Sequence, residues 1–158
     1  MKPAGALDAN ALIRQLLPTS LGRPLFVLDS AASTMDEARR LWQAGAPWGT
    51  AVLAATQSAG RGRRGRTFVS PPGGLYLTVL TAPCGPPAIA WRSGFAAALA
   101  ARDAVLDRHG PPLAFEWPND LVWGRKKVGG VLAEWLSAGP AGPAAVAVGV
   151  GLNLGQDP

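Results

Sequence analysis

The second half of the chain contains four apolar runs that no helix separates. They are Leu113–Trp117, Leu121–Trp123, Val128–Leu136 and Ala144–Leu152. The tripeptide Gly124-Arg125-Lys126 between the second and third runs is typical of a hairpin turn. A doubly wound parallel sheet needs a crossover helix between successive strands, and this half has no room for one. The sequence therefore predicts an α+β fold, a mixed, mostly antiparallel sheet with helices packed on it.

Residues 1–110 supply the helices and the remaining strands. Helices are predicted over 8–17, 33–43 and 87–107, and strands over 25–28, 50–56 and 75–81. The 158 residues are 48% hydrophobic and 16% charged, which suits one domain with its own core. Neither an internal repeat nor a long linker divides them, so we expect a single domain over 1–158.

Several classes of protein are disfavoured at once. No apolar run reaches membrane-spanning length, and no secretion signal begins the chain, so we expect a cytoplasmic protein without a membrane partner. Cys84 is the single cysteine, which rules out an internal disulfide and a multi-cysteine metal site. His109 is the single histidine and precedes Gly110 at a predicted helix end, where nothing nearby supports a Ser-His-Asp arrangement.

The segment Gly60-Arg61-Gly62-Arg63-Arg64-Gly65-Arg66 holds four of the 15 basic residues. Its glycines permit positive φ and let successive backbone N–H groups form an anion-binding nest. Its arginines offer forked donors for phosphate or carboxylate. The spacing and the Lys-Ser/Thr ending of a P-loop are missing. We expect a loop that is mobile alone and becomes ordered around a ligand phosphate.

By composition, the same segment fits a solvated run that binds nucleic acid nonspecifically about equally well. Its position favours a ligand site instead. It follows a strand and Gln57 and precedes the strand at 75–81, so it is inserted into the domain and is not a tail.

Ser33 and Thr34 lie at the start of a predicted helix. Ser33 with Asp36 fits a capping box, Ser-x-x-Asp. Hydroxyl groups at a helix start can also hold a small polar head group such as a ureido ring, and the two roles are compatible.

Two further polar clusters follow strands. Trp117-Pro118-Asn119-Asp120 is ordinary turn chemistry with a core tryptophan, or a set of ligands for a nucleotide phosphate, a magnesium ion or an incoming amine. Lys127 precedes Gly129 and Gly130 in an apolar strand, where glycines often mark the close approach of a ligand. A lysine beside that gap can neutralise a carboxylate or an α-phosphate.

Taken in order, these segments resemble the biotin–protein ligases. The resemblance rests on Gly60–Arg66 after Gln57, Trp117–Asp120, Lys127–Gly130 and Gly149–Asn153, and it extends over about residues 25–154. It implies that the carboxylate of biotin attacks the α-phosphate of Mg²⁺-ATP, giving biotinyl-5'-AMP and pyrophosphate. A lysine of a biotin carboxyl carrier protein then attacks the mixed anhydride. No specific nucleic acid is implied, and a homodimer stays an open alternative.

The resemblance also implies a role for individual residues. Biotin is expected at Ser33, Thr34, Gln57, Gly60, Arg61 and Gly130. The nucleotide is expected at Arg61, Arg63, Arg66, Trp117, Asn119, Lys127 and Asn153. Lys127, Arg63 and Asp120 are the expected catalytic residues. In these roles Lys127 steadies the charge between carboxylate and phosphate, and Arg63 closes over the adenylate. Asp120 serves the phosphates, the magnesium and the entering lysine.

The sequence departs from the family pattern at three positions. Met35 stands where Asn is common, Phe68 where Trp is common, and Glu116 where a Lys commonly precedes Trp-Pro-Asn-Asp. Within 1–158 we expect neither the N-terminal DNA-binding domain nor the C-terminal β-barrel that members of the family carry. Three alternatives stay open: a lipoate or octanoate ligase-like enzyme, a noncatalytic biotin- or nucleic-acid-binding module, and a degenerate ligand sensor.

Overall fold

The computed structural model describes residues 7–15 and 21–155. In this part of the chain the helices are α1 (Ala9–Gln15), α2 (Thr34–Gln43) and α3 (Trp91–Asp107). The strands are β1 (Leu25–Leu28), β2 (Ala51–Ala54), β3 (Leu75–Thr81), β4 (Ala114–Glu116), β5 (Asp120–Trp123), β6 (Lys126–Leu136) and β7 (Ala145–Leu152). Each helix and strand predicted from the sequence is present.

The boundaries of most elements differ from the predicted ones by one or two residues, and three differences bear on the fold. β2 ends at Ala54, before the predicted residue 56. A separate 3-10 turn, Pro87–Ile89, precedes α3, so the long helix begins four residues later than predicted. The first helix is seen at Ala9–Gln15 with no buried residue, and the predicted residues 16 and 17 lie outside the described part of the chain.

The seven strands form one sheet in the order β1-β2-β3-β7-β6-β5-β4. β1 and β2 are parallel, and every other neighbouring pair is antiparallel. The predicted mixed, mostly antiparallel sheet is therefore confirmed. The long strands β3, β6 and β7 form its centre, so each of them has a neighbouring strand along both of its edges.

The two longer helices cover opposite faces of this sheet. On β7, Ala145 and Ala147 join the core under α2, whereas Val146 and Val148 pack on the α3 side. Because side chains alternate along a strand, these two sets point in opposite directions. Trp42, only 1% exposed, is the largest side chain of the α2 core. The domain thus has three layers, with α2 on one face of the sheet and α3 on the other. On the face that carries α2, the part of the sheet beyond the start of that helix is available for a site.

None of the helices in 7–15 and 21–155 is long and apolar enough to cross a bilayer.

Candidate functional site

A cavity of about 510 Å³ opens on the α2 face of the sheet, beyond the start of that helix. Every predicted site residue except Gly60 and Asn153 lines it: Ser33, Thr34, Gln57, Arg61, Arg63, Arg66, Trp117, Asn119, Asp120, Lys127 and Gly130. Segments far apart in the sequence therefore meet at one place, which supports reading them as parts of a single site.

Gly60 and Asn153 lie outside the lining of this cavity. A Cβ at Gly60 would lie 2.3 Å from the carbonyl oxygen of Phe68, so this glycine permits a close backbone approach behind the cavity. The backbone N–H of Asn153 donates to the carbonyl oxygen of Val128 at 2.7 Å. Contacts in the structure thus give Gly60 a role in the backbone of the loop and tie Asn153 to the start of β6.

A chain of hydrogen bonds between neutral groups runs along one end of the cavity. The buried hydroxyl of Thr78 on β3 donates to Thr34 Oγ1 at 2.9 Å, and Thr34 Oγ1 donates to Gln57 Oε1 at 3.1 Å. Gln57 Nε2 then donates to Ser70 Oγ at 2.8 Å, and Ser70 Oγ donates to the Phe68 carbonyl oxygen at 3.0 Å. The direction of these bonds fixes the orientation of the Gln57 amide and leaves its second N–H available for a ligand.

The predicted capping box of Ser33 and Asp36 is wrong. Ser33 is the N-cap residue of α2, but its side chain makes no capping hydrogen bond. The Thr34 N–H is instead satisfied by Gln57 Oε1 at 2.8 Å, a partner from a distant loop. Asp36 makes an ion pair with Arg61 at 2.9 Å. Ser33 itself is 2% exposed, and its Oγ has no hydrogen-bond partner within the described residues.

Charged groups meet at the other end of the cavity. Lys127 Nζ donates to Asp120 Oδ1 at 2.7 Å, and Asn119 Nδ2 donates to the same oxygen at 2.9 Å. Arg63 Nη1 donates to Asn119 Oδ1 at 3.0 Å. The side chains that the sequence predicts to be catalytic therefore form one connected hydrogen-bonded row.

A β-bulge in β6 explains how Lys127 reaches this row. Leu121 pairs with Gly129, but Val122 pairs with Lys127, so Val128 is an extra residue on β6. A bulge of this kind re-aims the side chains that flank it. Lys127 and Gly130 consequently face the same side of the sheet, and a Cβ at Gly130 would lie 3.8 Å from Lys127 Cε.

The arginine-rich segment folds into a short hairpin, residues 60–68, which we call the arginine hairpin. Phe68 N donates to Gly60 O at 2.9 Å and Gly62 N donates to Arg66 O at 2.7 Å. Its tip contains a 3-10 turn, Arg63–Gly65, in which Arg64 has φ of 56°. Positive φ at the tip is the conformation that the predicted anion-binding nest requires.

Trp117 lies at the mouth of the cavity and is 65% exposed, so the core role that its turn allowed is wrong. Its ring makes an edge contact with Trp91 of α3 at a centroid distance of 5.5 Å. Phe115 on β4 makes a second edge contact with the Trp117 ring at a centroid distance of 6.5 Å. The ring is thus held by aromatic neighbours while much of its surface faces solvent.

Apolar residues close the floor of the cavity, and sequence reasoning did not assign them to the site. A Cβ at Gly149 would lie 2.8 Å from Met35 Sδ, and one at Gly151 would lie 2.6 Å from Phe68 Cε1. Two of the family departures, Met35 and Phe68, therefore rest directly on the glycines of β7. The alternating Gly-x-Gly in that strand was the available signal, because each glycine makes room for one large side chain.

Two polar partners were also missed. Thr78 was predicted only as part of the strand 75–81, yet it is fully buried and donates to Thr34. Glu134 on β6 makes ion pairs with Arg39 at 2.6 Å and with Arg61 at 3.1 Å. A glutamate on the interior face of a valine- and leucine-rich strand was the signal for the second of these.

Comparison with known proteins identifies a family that spans these site segments. The sequence model of the biotin/lipoate A/B protein ligase family matches residues 27–153. The biotin–[acetyl-CoA-carboxylase] ligase of Paracoccus denitrificans is 45% identical over 130 residues, 80% of this chain and 52% of the relative. The bifunctional ligase/repressor BirA of Bacillus subtilis is 31% identical over 159 residues, 100% of this chain and 49% of the relative. The chain spans about half the length of these relatives.

Solved structures share the fold. The biotin protein ligase of Leishmania major in complex with biotinyl-5-AMP is 32% identical with a TM-score of 0.60, covering 90% of this chain and 60% of that one. The biotin protein ligase of Aquifex aeolicus in complex with biotin and ATP is 30% identical with a TM-score of 0.62, covering 85% of this chain and 54% of that one.

Proposed function

The chain belongs to the biotin/lipoate A/B protein ligase family, and from this premise we propose that it activates biotin with ATP and transfers it to a lysine of a biotin carboxyl carrier protein. One observation carries the proposal. A single cavity joins a neutral hydrogen-bonding end at Thr34 and Gln57 to a charged end at Lys127. A molecule with a polar, uncharged head and a carboxylate tail matches both ends.

Biotin fits the neutral end through its ureido ring. Ser33 Oγ is buried without a partner among the described residues, and Ser33 lines the cavity. A buried polar atom without a partner costs about 1–3 kcal/mol, so its retention favours a ligand that satisfies it. The Gln57 amide nitrogen donates to Ser70 Oγ and has a second N–H that it can offer to the ligand. We assign Ser33, Thr34 and Gln57 to the head group, with Met35 and Phe68 forming an apolar wall around the rings.

The activation step follows from the charged end. An oxygen of the biotin carboxylate bonds to the α-phosphorus of ATP, the bond from that phosphorus to the bridging oxygen breaks, and pyrophosphate leaves. Negative charge gathers between carboxylate and phosphate in the transition state. We assign the stabilisation of that charge to Lys127, with Arg63 and Arg66, which line the same cavity from the arginine hairpin. Fixed donors aimed at developing charge are an effective way to accelerate such a step.

The transfer step uses the same reacting centre. The amine of the carrier lysine attacks the acyl carbon, the amide bond forms, the bond to the phosphate oxygen breaks, and AMP leaves. We assign Asp120 and Asn119 to the entering amine, because an ammonium group must be positioned, must lose one proton before it can attack, and loses a second as the amide forms. We assign the exposed ring of Trp117 to the nucleotide.

Magnesium accompanies ATP in this proposal, where it supplies neutralising charge on the phosphates. The described residues contain no group of three or more His, Cys, Asp or Glu side chains that could hold a metal ion. Mg²⁺ commonly binds through one or two carboxylates together with substrate phosphates, and Asp120 fits that need. We also place the protein in the cytoplasm, because ATP is the proposed substrate.

The decisive experiment is release of pyrophosphate by the purified protein. With MgATP we expect pyrophosphate release when biotin is added. We expect no release when no acid is added, and none when lipoate replaces biotin at the same concentration. A thermal-shift comparison of the two acids supports the assignment if only biotin stabilises the fold. A well-folded protein that releases no pyrophosphate with biotin would overturn the proposal. Response to lipoate alone would favour the lipoate ligase, and salt-sensitive RNA or DNA binding without a response to biotin would favour a nucleic-acid-binding module.

A further inference from the structure

We propose that Glu134 is a positioning residue: it holds Arg61, and through Arg61 it keeps the arginine hairpin over the cavity, so that an activated acid is retained. The inference rests on the proposed function for its catalytic consequence, but its mechanical part concerns the hairpin alone. Glu134 belongs to β6, the strand that also carries Lys127.

The contacts of Glu134 bind three elements together. Its Oε2 accepts from Arg61 Nη2 at 3.1 Å and from Arg39 Nη2 of α2 at 2.6 Å. Asp36 Oδ1, also on α2, lies 2.9 Å from the same Arg61 nitrogen. The Glu134 side chain is 25% exposed and that of Arg61 is 34% exposed, so these contacts are partly shielded from water. Arg61 is thereby gripped between the sheet and the helix.

Few other side chains tie the hairpin to the rest of the domain. Among residues 61–67, the side chains with hydrogen bonds or ion pairs to other described elements are those of Arg61 and Arg63. Arg61 lies at the base and contacts Glu134, whereas Arg63 lies at the tip and contacts Asn119. Losing Glu134 would leave Arg61 held at the base by Asp36 alone, with the bond from Arg63 to Asn119 at the tip.

Glu134 also affects the hairpin through its negative charge. Four arginines occur within Arg61–Arg66, and like charges this close repel one another. The carboxylates of Glu134 and Asp36 are the acidic groups that line the groove behind the hairpin. Removing one of them raises the electrostatic cost of the closed hairpin and frees Arg61 to move, so we expect the open form to become more populated.

The position of Glu134 on β6 connects this anchor to the reacting centre. After the bulge, Lys127, Gly130, Leu132 and Glu134 all face the α2 side of the sheet. Lys127 and Glu134 therefore stand about 20 Å apart along one strand. One end of β6 carries the lysine assigned to the chemistry, and the other carries the anchor of the loop that covers it.

The test combines a structural and a catalytic readout on Glu134→Ala and the near-isosteric Glu134→Gln. Trypsin cleavage after Arg63, Arg64 and Arg66, followed by mass spectrometry, reports opening of the hairpin, because cleavage requires the open form. Escape of biotinyl-5'-AMP into solvent reports retention. Glu37→Ala is the matched control, since Glu37 pairs with Arg40 on α2 and does not contact the hairpin. Arg39→Ala removes the other partner of Glu134 and leaves Arg61 in place.

We expect both Glu134 variants to be cleaved about three- to tenfold faster than wild type, because a charge-assisted contact to the hairpin is lost. The thermal midpoint should be unchanged, because a partly exposed ion pair contributes little to the stability of the fold. Escape of the adenylate should rise by a similar factor with little change in biotin affinity. Glu37→Ala and Arg39→Ala should behave like wild type. Arg61→Ala combined with Glu134→Ala should be no worse than Arg61→Ala, because the two residues act as a unit.

Two results would overturn the proposal: cleavage equal to wild type in both Glu134 variants, or additive effects of Arg61→Ala and Glu134→Ala. If Glu134→Ala unfolds, Glu134→Gln decides alone. The cleavage assay needs no substrate, so it separates this inference from the proposed function. Absence of pyrophosphate release in wild type would remove the catalytic role and leave the anchoring of the hairpin to be judged by proteolysis.

Discussion

Lys127 Nζ lies 2.7 Å from Asp120 Oδ1, across the bulged pairing of β5 and β6. Both side chains are partly exposed, 49% for Lys127 and 31% for Asp120, so the pair stands at the cavity wall and is not buried beneath it. Such a pair contributes little to folding. Its effect is to aim the amine of Lys127 into the space that we assign to the carboxylate and the α-phosphate.

Lys127→Ala should therefore reduce activity without reducing stability. We expect biotin-dependent pyrophosphate release to fall by about 10²–10³-fold, the usual effect of removing one donor aimed at developing charge. The thermal midpoint and biotin affinity should change little. Lys126→Ala is the matched control, because Lys126 is the adjacent lysine of β6 and does not line the cavity. Equal losses in the two variants would exclude a specific role for Lys127.

Gly129 and Gly130 are adjacent, but alanine should affect them differently. A Cβ at Gly129 would lie 2.5 Å from the carbonyl oxygen of Gly151 on β7, a backbone atom that cannot move aside. Gly129→Ala should thus lower the free energy of unfolding by about 1–3 kcal/mol, measured by urea denaturation.

A Cβ at Gly130 would meet Asn119 O at 3.2 Å and Asp120 Oδ1 at 3.6 Å, so the site must adjust while the strands stay paired. Gly130→Ala should keep its stability and lose about tenfold in pyrophosphate release, because reacting groups are slightly misplaced. The reverse pattern, a stable inactive Gly129→Ala and an unstable active Gly130→Ala, would contradict these assignments.

The bulge marks a limit of what sequence reasoning could reach. Strict alternation along β6 places Lys127 and Gly130 on opposite faces of the sheet. The extra residue Val128 reverses this, and the sequence points to it only through Gly129 and Gly130, because a glycine inside a strand can mark either a bulge or a ligand contact. The strands, the hairpin turn at Gly124 and the mostly antiparallel sheet were predictable, because each depends on a local pattern. The meeting of Lys127 with Gly130 was predictable only through resemblance.

Partners distant in sequence set the second limit. Gln57 was identified as a site residue, but its fixed orientation depends on Ser70 and on Thr34. The Thr78–Thr34 bond spans 44 positions and the Arg61–Glu134 bond spans 73. Tertiary packing determines these pairs. Local turn chemistry also misled where a tertiary contact replaced it, since Gln57 took over the helix start that Ser33 and Asp36 were expected to cap.

Thr78→Val should weaken biotin binding. The change keeps the side-chain shape but removes the donor to Thr34 Oγ1, so the order of hydrogen bonds at the neutral end is no longer fixed. Losing one such bond costs about 1 kcal/mol, equivalent to a dissociation constant about fivefold higher, which titration calorimetry can measure. Thr81→Val is the control, because its hydroxyl donates to Val146 O on the α3 side. An unchanged biotin affinity in Thr78→Val would count against the orienting relay.

Arg63→Ala should loosen retention of the adenylate more than it weakens initial binding of biotin. Arg63 Nη1 reaches Asn119 Oδ1 at 3.0 Å from the hairpin tip, so its loss removes the closure across the charged end and leaves the neutral end intact. We expect adenylate to escape about tenfold faster, with biotin affinity within about twofold of wild type. Arg125→Ala, in the β5–β6 turn and outside the cavity lining, should leave both unchanged. If Arg63→Ala weakened the binding of biotin and the retention of the adenylate by the same factor, the tip would contribute general positive charge. Closure over the intermediate would then have to come from other residues.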